Sequence, residues 1–318
     1  MPTISVLMCV YNESIDYIRL AVESILHQTY TNFEFIIIAD NPKNKQIISF
    51  INDYSERDSR IRILVNEYNI GLAHSLNKGM NVARGEYIAR MDADDISTPE
   101  RLELEFLYIQ ENNFDMIFAL ADKIDEKGKV WDKIHPFPIH PTFILEMLPI
   151  QNIVVHPTVM MRKDKVLDIG GYRPYSSCQD YDLWLRMLTS NYRIGVLNET
   201  ILLYRVHEKS VSLRNHYLQT LNMVHIKHTF EKRKKYGMDN FSEEELCCFL
   251  DSKRAWDEQI SNNENQAYQK YVESITFLKC GKFFKGFLML FSTLPFYTVR
   301  QTIVTTIRAK LMKLNFNR

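Results

Sequence analysis

The chain opens on a solid apolar run over residues 3–10, rich in strand formers, which predicts a buried strand closed by Tyr11-Asn12. Ile18, Val22 and Ile25 then recur at helical spacing across residues 15–28. The same alternation repeats. Residues 33–39 (FEFIIIA) predict a second strand, 43–55 a helix, 61–65 a third strand, 72–84 a helix that Gly85 stops, and 86–91 a fourth strand. Four strands alternating with helices in the first 95 residues predict an α/β fold with a mostly parallel central sheet flanked by helices. In such sheets ligands bind beyond the carboxyl ends of the strands. Three of those ends carry polar residues: Tyr11-Asn12-Glu13, Asp40-Asn41, and Asp92-Ala93-Asp94-Asp95.

Beyond Asp95 a helix is expected to open at Ser97-Thr98-Pro99-Glu100, with Thr98 as its cap or Ser97 and Glu100 as a capping box. Residues 115–121 and 154–161 read as strands, 180–188 as a helix, and the four prolines between 136 and 149 mark an irregular stretch. From about residue 215 the pattern is helical throughout. The expected division is a catalytic domain over 1–213, made of halves 1–97 and 98–213, followed by a helical C-terminal region over 214–318.

Composition adds little until charge is followed along the chain. With 46% hydrophobic and 25% charged residues, the 318-residue chain can bury a sizeable core. Its formal net charge is zero, yet residues 274–318 hold eight Lys or Arg and no Asp or Glu, leaving a net −8 on the rest. A basic apolar end on an acidic body predicts an anionic partner surface, a membrane in preference to nucleic acid, because no nucleic-acid-binding motif accompanies it. The five cysteines include no CxxC pair and predict reduced thiols in the cytoplasm. No basic-then-apolar leader is seen, and the longest apolar stretch, 286–299, is shorter than the ~18 residues of a spanning helix. The expected location is therefore cytoplasmic, peripheral at the inner face of the cell membrane.

Three carboxylates within four residues at 92–95 repel one another unless a cation joins them, so a hard divalent ion, Mg²⁺ or Mn²⁺, is the expected cofactor. The other local role for that cluster is a solvated turn before the next helix. Asp40 can accept a hydrogen bond from a base edge or form an Asx turn before Pro42. Tyr11 can stack on the same base, with Asn12 and Glu13 lining the pocket. Asp180, at the start of a helix, is favoured in its ionised form by the helix dipole and can take a proton from a hydroxyl, or can serve as an ordinary cap. Arg205 and His207 can hold a diphosphate or, for His207, a metal. No GxGxxG and no P-loop pattern occurs, which argues against a dinucleotide dehydrogenase and a P-loop enzyme.

Taken in order, these segments resemble the family-2 glycosyltransferases of the GT-A fold, of the kind that builds bacterial surface polysaccharides. The resemblance spans residues 2–213 and rests on SVLMCVYNE (5–13), SILHQTYTNFEFIIIADN (24–41), NIGLAHSLNKGMNVARGEYIARMDADDISTPERL (69–102), VHPTVMMRK (155–163), GGYRP with QDYDLWLR (170–186), and LLYRVHEKSVS (202–212). It implies that Tyr11, Asn12, Glu13, Asp40, Asn69, Arg84, Asp92, Asp94 and Arg205 contact a nucleotide-sugar donor, with Asp40 reading uracil. It implies that Asp94, Asp95 and His207 hold the metal and that Asp180 is the base of an inverting transfer. The donor would be a UDP-sugar and the acceptor a glycan or lipid-linked glycan of capsule or lipopolysaccharide. Two positions depart from the family pattern: Ala39 stands where an acid is usual, and Gln179 where a Glu is usual. The alternatives are a sugar nucleotidyltransferase, which would need a glycine-rich loop that residues 5–13 lack, and a non-catalytic subunit that binds nucleotide sugars.

Overall fold

The computed structural model describes residues 1–138, 140, 142–206 and 215–316. The chain forms two compact units, one of Met1–Ile139 with Ile153–His207 and one of His140–Asn152 with Glu208–Arg318. Residues 140–152, expected in the catalytic half, therefore belong with the C-terminal helices.

The first unit is built on β1 (Ile4–Val10), α1 (Ile15–Leu26), β2 (Phe33–Ala39), α2 (Lys45–Arg57), β3 (Ile61–Val65), α3 (Leu72–Val82) and β4 (Tyr87–Asp92). These four strands run parallel in the order β3-β2-β1-β4. All seven residues of β2 are buried, as a strand covered on both faces requires. Its one acid, Glu34, is tolerated there because Arg62 pairs with it at 2.6 Å and Ser5 donates to it at 2.7 Å. Ser14 caps α1 and Asn44 caps α2.

The sheet continues through β5 (Ile96–Ser97), β6 (Met116–Ile124), β7 (Val130–Asp132), β8 (Val159–Arg162) and β9 (Ile194–Arg205). Strand β8 runs antiparallel between β4 and β6, β9 runs parallel to β6, and β5 closes the edge on β9. Helices α4 (Arg101–Glu111), α6 (Lys163–Asp168) and α7 (Gln179–Thr189) complete this unit. The second unit holds α5 (Phe143–Met147), α8 (His216–Tyr236), α9 (Glu243–Ser252), α10 (Glu258–Lys279), α11 (Phe283–Thr293) and α12 (Tyr297–Phe316).

Three local expectations are corrected. Ser97 is not a helix cap but a buried residue of β5, and α4 begins at Arg101 with no side-chain cap. Residues 154–161 are only partly a strand, because Pro157 sits in a single 3₁₀ turn, His156–Thr158, before β8. Strand β9 was not anticipated from the sequence.

Helix α3 ends at Val82 with Ala83 as its cap, so Gly85, expected to stop it, lies beyond the helix and serves a close approach instead. A Cβ there would lie 2.6 Å from the Ser5 backbone nitrogen and 2.7 Å from the Ile4 carbonyl carbon. Backbone atoms of a central strand cannot yield. Gly85→Ala is expected to lower unfolding stability by about 1–3 kcal/mol, the usual scale of overpacking. Urea denaturation measures it, and an unchanged midpoint would show that β1 moves freely.

Candidate active site

The register pairs Cys9 with Asp92, Val10 with Ala39, and Ala39 with Val65. The residues that follow, Tyr11, Asp40, Asn66 and Ala93, therefore leave the sheet side by side at one end. Parallel β6 and β9 deliver Tyr204 and Arg205 to that end too. The turn His156–Thr158, just before antiparallel β8, arrives there from the other direction.

Two of the four residues at 92–95 are partly open and two are closed. Asp92 and Asp94 are half-buried, whereas Ala93 and Asp95 are buried. Asp92 Oδ1 accepts a hydrogen bond from the guanidinium of Arg90, which is 2% exposed and also donates to the Met91 carbonyl. Asp95 Oδ1 accepts the Arg205 amide at 2.7 Å. Burial, then the charges of Asp92 and Asp94, push the Asp95 carboxyl far above the usual carboxylate range. Asp95 is thus enclosed, with its Oδ2 buried and without a hydrogen-bond partner among the described residues, whereas Asp94 is half-buried.

Arg205 is corrected as well. The sequence places it on a diphosphate, yet it is 2% exposed, with Nε and Nη1 given to main chain and Nη2 buried without a hydrogen-bond partner among the described residues. Nε donates to the Asp94 carbonyl at 2.8 Å and Nη1 to the carbonyls of Asp125 at 2.9 Å and Glu126 at 3.2 Å, with the group 4.3 Å from the Tyr17 ring centroid. It holds the acidic turn in place. His207 lies outside the described residues.

Asp40 is also committed. Its Oδ1 accepts from Asn66 Nδ2 at 2.8 Å and from the Ile70 amide at 2.9 Å, and its Oδ2 accepts the Gly71 amide at 2.9 Å. At 5% exposure it shapes the 66–71 loop and the amino end of α3, and it is closed to a base edge. Asn69, exposed on that loop, shares the Gly71 amide. Asn66, the polar residue that follows β3, completes this end of the sheet. It is 1% exposed and links Asp40, Ser75 and Lys78 Nζ through hydrogen bonds of 2.8–2.9 Å.

On the β1 side, Tyr11 is 43% exposed and open to stack on a ring. Glu13 accepts the Tyr11 amide, and its carboxyl is raised by burial and further by Asp94 and Asp92. Asn12 Oδ1 accepts from Asn41 and Asn44. Arg84 is not brought here. Its amide bonds Glu34 Oε1 near the start of β2, at the amino end of the sheet, so its expected nucleotide contact is withdrawn.

The remaining wall comes from α7. Asp180 is half-buried in its first turn, after Cys178, a non-glycine residue held at φ 64°. The Tyr204 hydroxyl is raised by burial and then by the carboxylates of Asp92, Asp95, Asp94 and Asp180, so the charge of Asp180 on α7 and that of the acidic turn are both felt at the end of β9. Both are felt at Tyr172 too: burial raises it, Arg90 opposes, and Asp180 and Asp92 add to the rise. Its hydroxyl lies 2.8 Å from His156 Nε2, and burial with Arg90 nearby keeps that imidazole neutral. Arg90 could have been flagged in the sequence as the one charge inside the run YIARM.

The carboxylate oxygens of this cluster suit a hard divalent ion, and their mutual repulsion is the electrostatic signature of such a site. Among the described residues, no three His, Cys, Asp or Glu side chains converge as a complete metal site. Asp94 would therefore share the ion with oxygens of a bound diphosphate, an arrangement Mg²⁺ favours.

The profile of glycosyl transferase family 2 matches residues 5–170. An uncharacterized glycosyltransferase, MJ1057, of Methanocaldococcus jannaschii is 36% identical over 241 residues, 75% of this chain and 83% of that protein. The O-antigen biosynthesis glycosyltransferase WbnJ of Escherichia coli is 39% identical over 210 residues, 65% of this chain and 81% of that protein. Among solved structures, S. aureus TarS 1-349 in complex with UDP-GlcNAc aligns with a TM-score of 0.57 at 17% identity, covering 92% of this chain and 90% of that one. A longer TarS chain is covered over 42% of its length.

Asp182, two residues beyond Asp180, is fully buried and accepts from Arg186 Nε at 2.8 Å, which in turn donates to the carbonyls of Ile169 and Gly171. Asp182→Ala is expected to lower stability by roughly 3–5 kcal/mol, the scale for breaking a buried pair. Thermal unfolding checks it; a stable protein lacking only turnover would move Asp182 into the chemistry.

Proposed function

Because the chain belongs to glycosyl transferase family 2, we propose that this site transfers a sugar from a nucleotide-diphosphate sugar, a UDP-sugar, to an acceptor hydroxyl with inversion at the anomeric carbon. The observation that carries the reading is that β1, β2 and β4 deliver Tyr11, Asp40 and the half-buried acids Asp92 and Asp94 at their carboxyl ends, where β9 also brings Tyr204. On this reading the acid cluster receives the donor diphosphate and its ion, and Asp180, the half-buried acid of α7, serves as the base.

Tyr11 offers its exposed ring to the base, while the Asp40-supported loop at 66–71 borders the nucleoside. Asp92 and Asp94 face the ribose and diphosphate. Mg²⁺ or Mn²⁺ at Asp94 would neutralise charge on the departing diphosphate. Asp180 takes the proton of the acceptor hydroxyl, whose oxygen attacks the anomeric carbon as the bond to the diphosphate oxygen breaks. The bond forms on the face opposite the one that breaks, so an α-linked donor gives a β-glycoside. The named roles of WbnJ in O-antigen synthesis and of AmsE of Erwinia amylovora in amylovoran synthesis support a cell-surface glycan, or its lipid-linked precursor, as acceptor. The complex of TarS with UDP-GlcNAc supports a UDP-sugar as donor.

A second reading, a non-catalytic subunit that binds nucleotide sugars, draws on Gln179, buried where a Glu is usual. Release of nucleoside diphosphate from a panel of nucleotide sugars separates the two. Asp180→Asn is expected to keep donor affinity and to lower that release ~10²-fold or more, the scale of a lost general base. Wild-type turnover in this variant would place the base elsewhere.

Asp94→Ala is expected instead to weaken donor binding in calorimetry, and excess chelator to abolish turnover in the native protein. Full turnover in chelator would remove the metal from the account.

A further inference from the structure

Helix α11 presents its apolar side to solvent. Phe283, Phe284, Phe287, Leu288 and Phe291 are 62, 81, 49, 58 and 65% exposed. They follow at i, i+1, i+4, i+5 and i+8, which is one continuous stripe of a helix. The opposite side is fixed to its neighbour. Gly286 is buried against α10, where a Cβ would lie 2.7 Å from Leu278 Cγ, and Thr293 is buried with it. The phenylalanines are therefore held outward by close packing behind them. Isolated exposed apolar residues are ordinary, but a contiguous aromatic stripe marks an interaction surface.

Charge identifies what covers it. Lys282 and Lys285 flank the start of the stripe, their Nζ atoms 5.7 and 4.2 Å from the centre of the Phe277 ring, and Lys279 ends α10 beside them. Residues 274–318 contain no acid to answer these cations. A second copy of this face would offer these lysines no acid from residues 274–318 to pair with, which leaves their charge unanswered in a self-association. Anionic lipid headgroups beside an acyl layer satisfy both parts of the surface. With 11 residues the helix is about 16 Å long, against the ~30 Å of a hydrocarbon core. No helix among the described residues is long and apolar enough to cross a membrane.

We propose that α11 lies in the plane of an anionic bilayer surface, with Phe283, Phe284, Phe287, Leu288 and Phe291 in the acyl boundary and Lys279, Lys282 and Lys285 among the headgroups. The surface belongs to the helical unit, and the proposal does not depend on the donor or on Asp180.

Co-sedimentation of the full-length protein with phosphatidylcholine vesicles, with and without phosphatidylglycerol, tests this. Binding is expected only where phosphatidylglycerol is present, and to weaken as salt rises. Phe284→Ser with Phe287→Ser should reduce it by about tenfold or more, since each loses a buried aromatic. Lys282→Gln with Lys285→Gln should reduce it by about fivefold per charge. All these positions are exposed, so thermal midpoints should stay near wild type. Failure of the native protein to bind phosphatidylglycerol vesicles would overturn the proposal. So would equal binding by the phenylalanine variant, or a doubling of mass in light scattering that this variant abolishes, which would give the face to a second copy.

Discussion

Asp95 accepts the amide of Arg205, 110 positions later in the chain, and Arg205 returns a hydrogen bond to the carbonyl of Asp94. This two-way stitch ties the end of β4 to the end of β9, strands that are not neighbours in the sheet. It fixes the backbone of Asp94 from beneath, while the rest of the guanidinium reaches the Asp125–Glu126 turn and the Tyr17 ring. Removing either partner would leave a buried polar group unpaired, a loss larger than the net worth of the hydrogen bond itself. The acidic turn can crowd its charges only because this clamp holds it together.

A division of labour follows among the acids. Asp40, Asp95 and Asp182 are buried, and each gives at least one oxygen to an amide or to Arg186. Asp92, Asp94 and Asp180 are half-buried at the same end of the sheet. The enclosed acids set where the loops run, and the partly open ones are those we propose to meet the donor and acceptor. Neutral His156 bonds Tyr172 and packs its ring 5.8 Å from that of Trp184 on α7, so uncharged groups lie against the helix that carries Asp180.

The parallel half of the fold was legible because its strands are solid apolar runs, and helices at 3.6-residue spacing separate them. Strand β9 was not. Its sequence, IGVLNETILLYR, is interrupted by Asn198-Glu199-Thr200, where the pairing with β6 shifts register. The alternation that reveals a strand is broken at that point. The strand-end positions of Tyr11, Asp92 and Asp94 could be read from residue type and place alone. The buried roles of Asp40, Asp95 and Arg205 could not, because their partners lie 26 to 111 residues away. Arg84 was misplaced for a related reason: a motif fixes order along the chain but does not say at which end of the sheet a residue emerges.

The strand-end cluster is proposed as a donor site, with Asp180 facing the anomeric carbon. A crystal structure of the protein with Mn²⁺ and an unreactive UDP-sugar analogue tests it most directly. The account predicts the diphosphate beside Asp94, the base against Tyr11, and the Asp180 carboxylate on the side of the anomeric carbon opposite the diphosphate. A nucleotide bound elsewhere, or an Asp180 carboxylate turned away from that face, would contradict it.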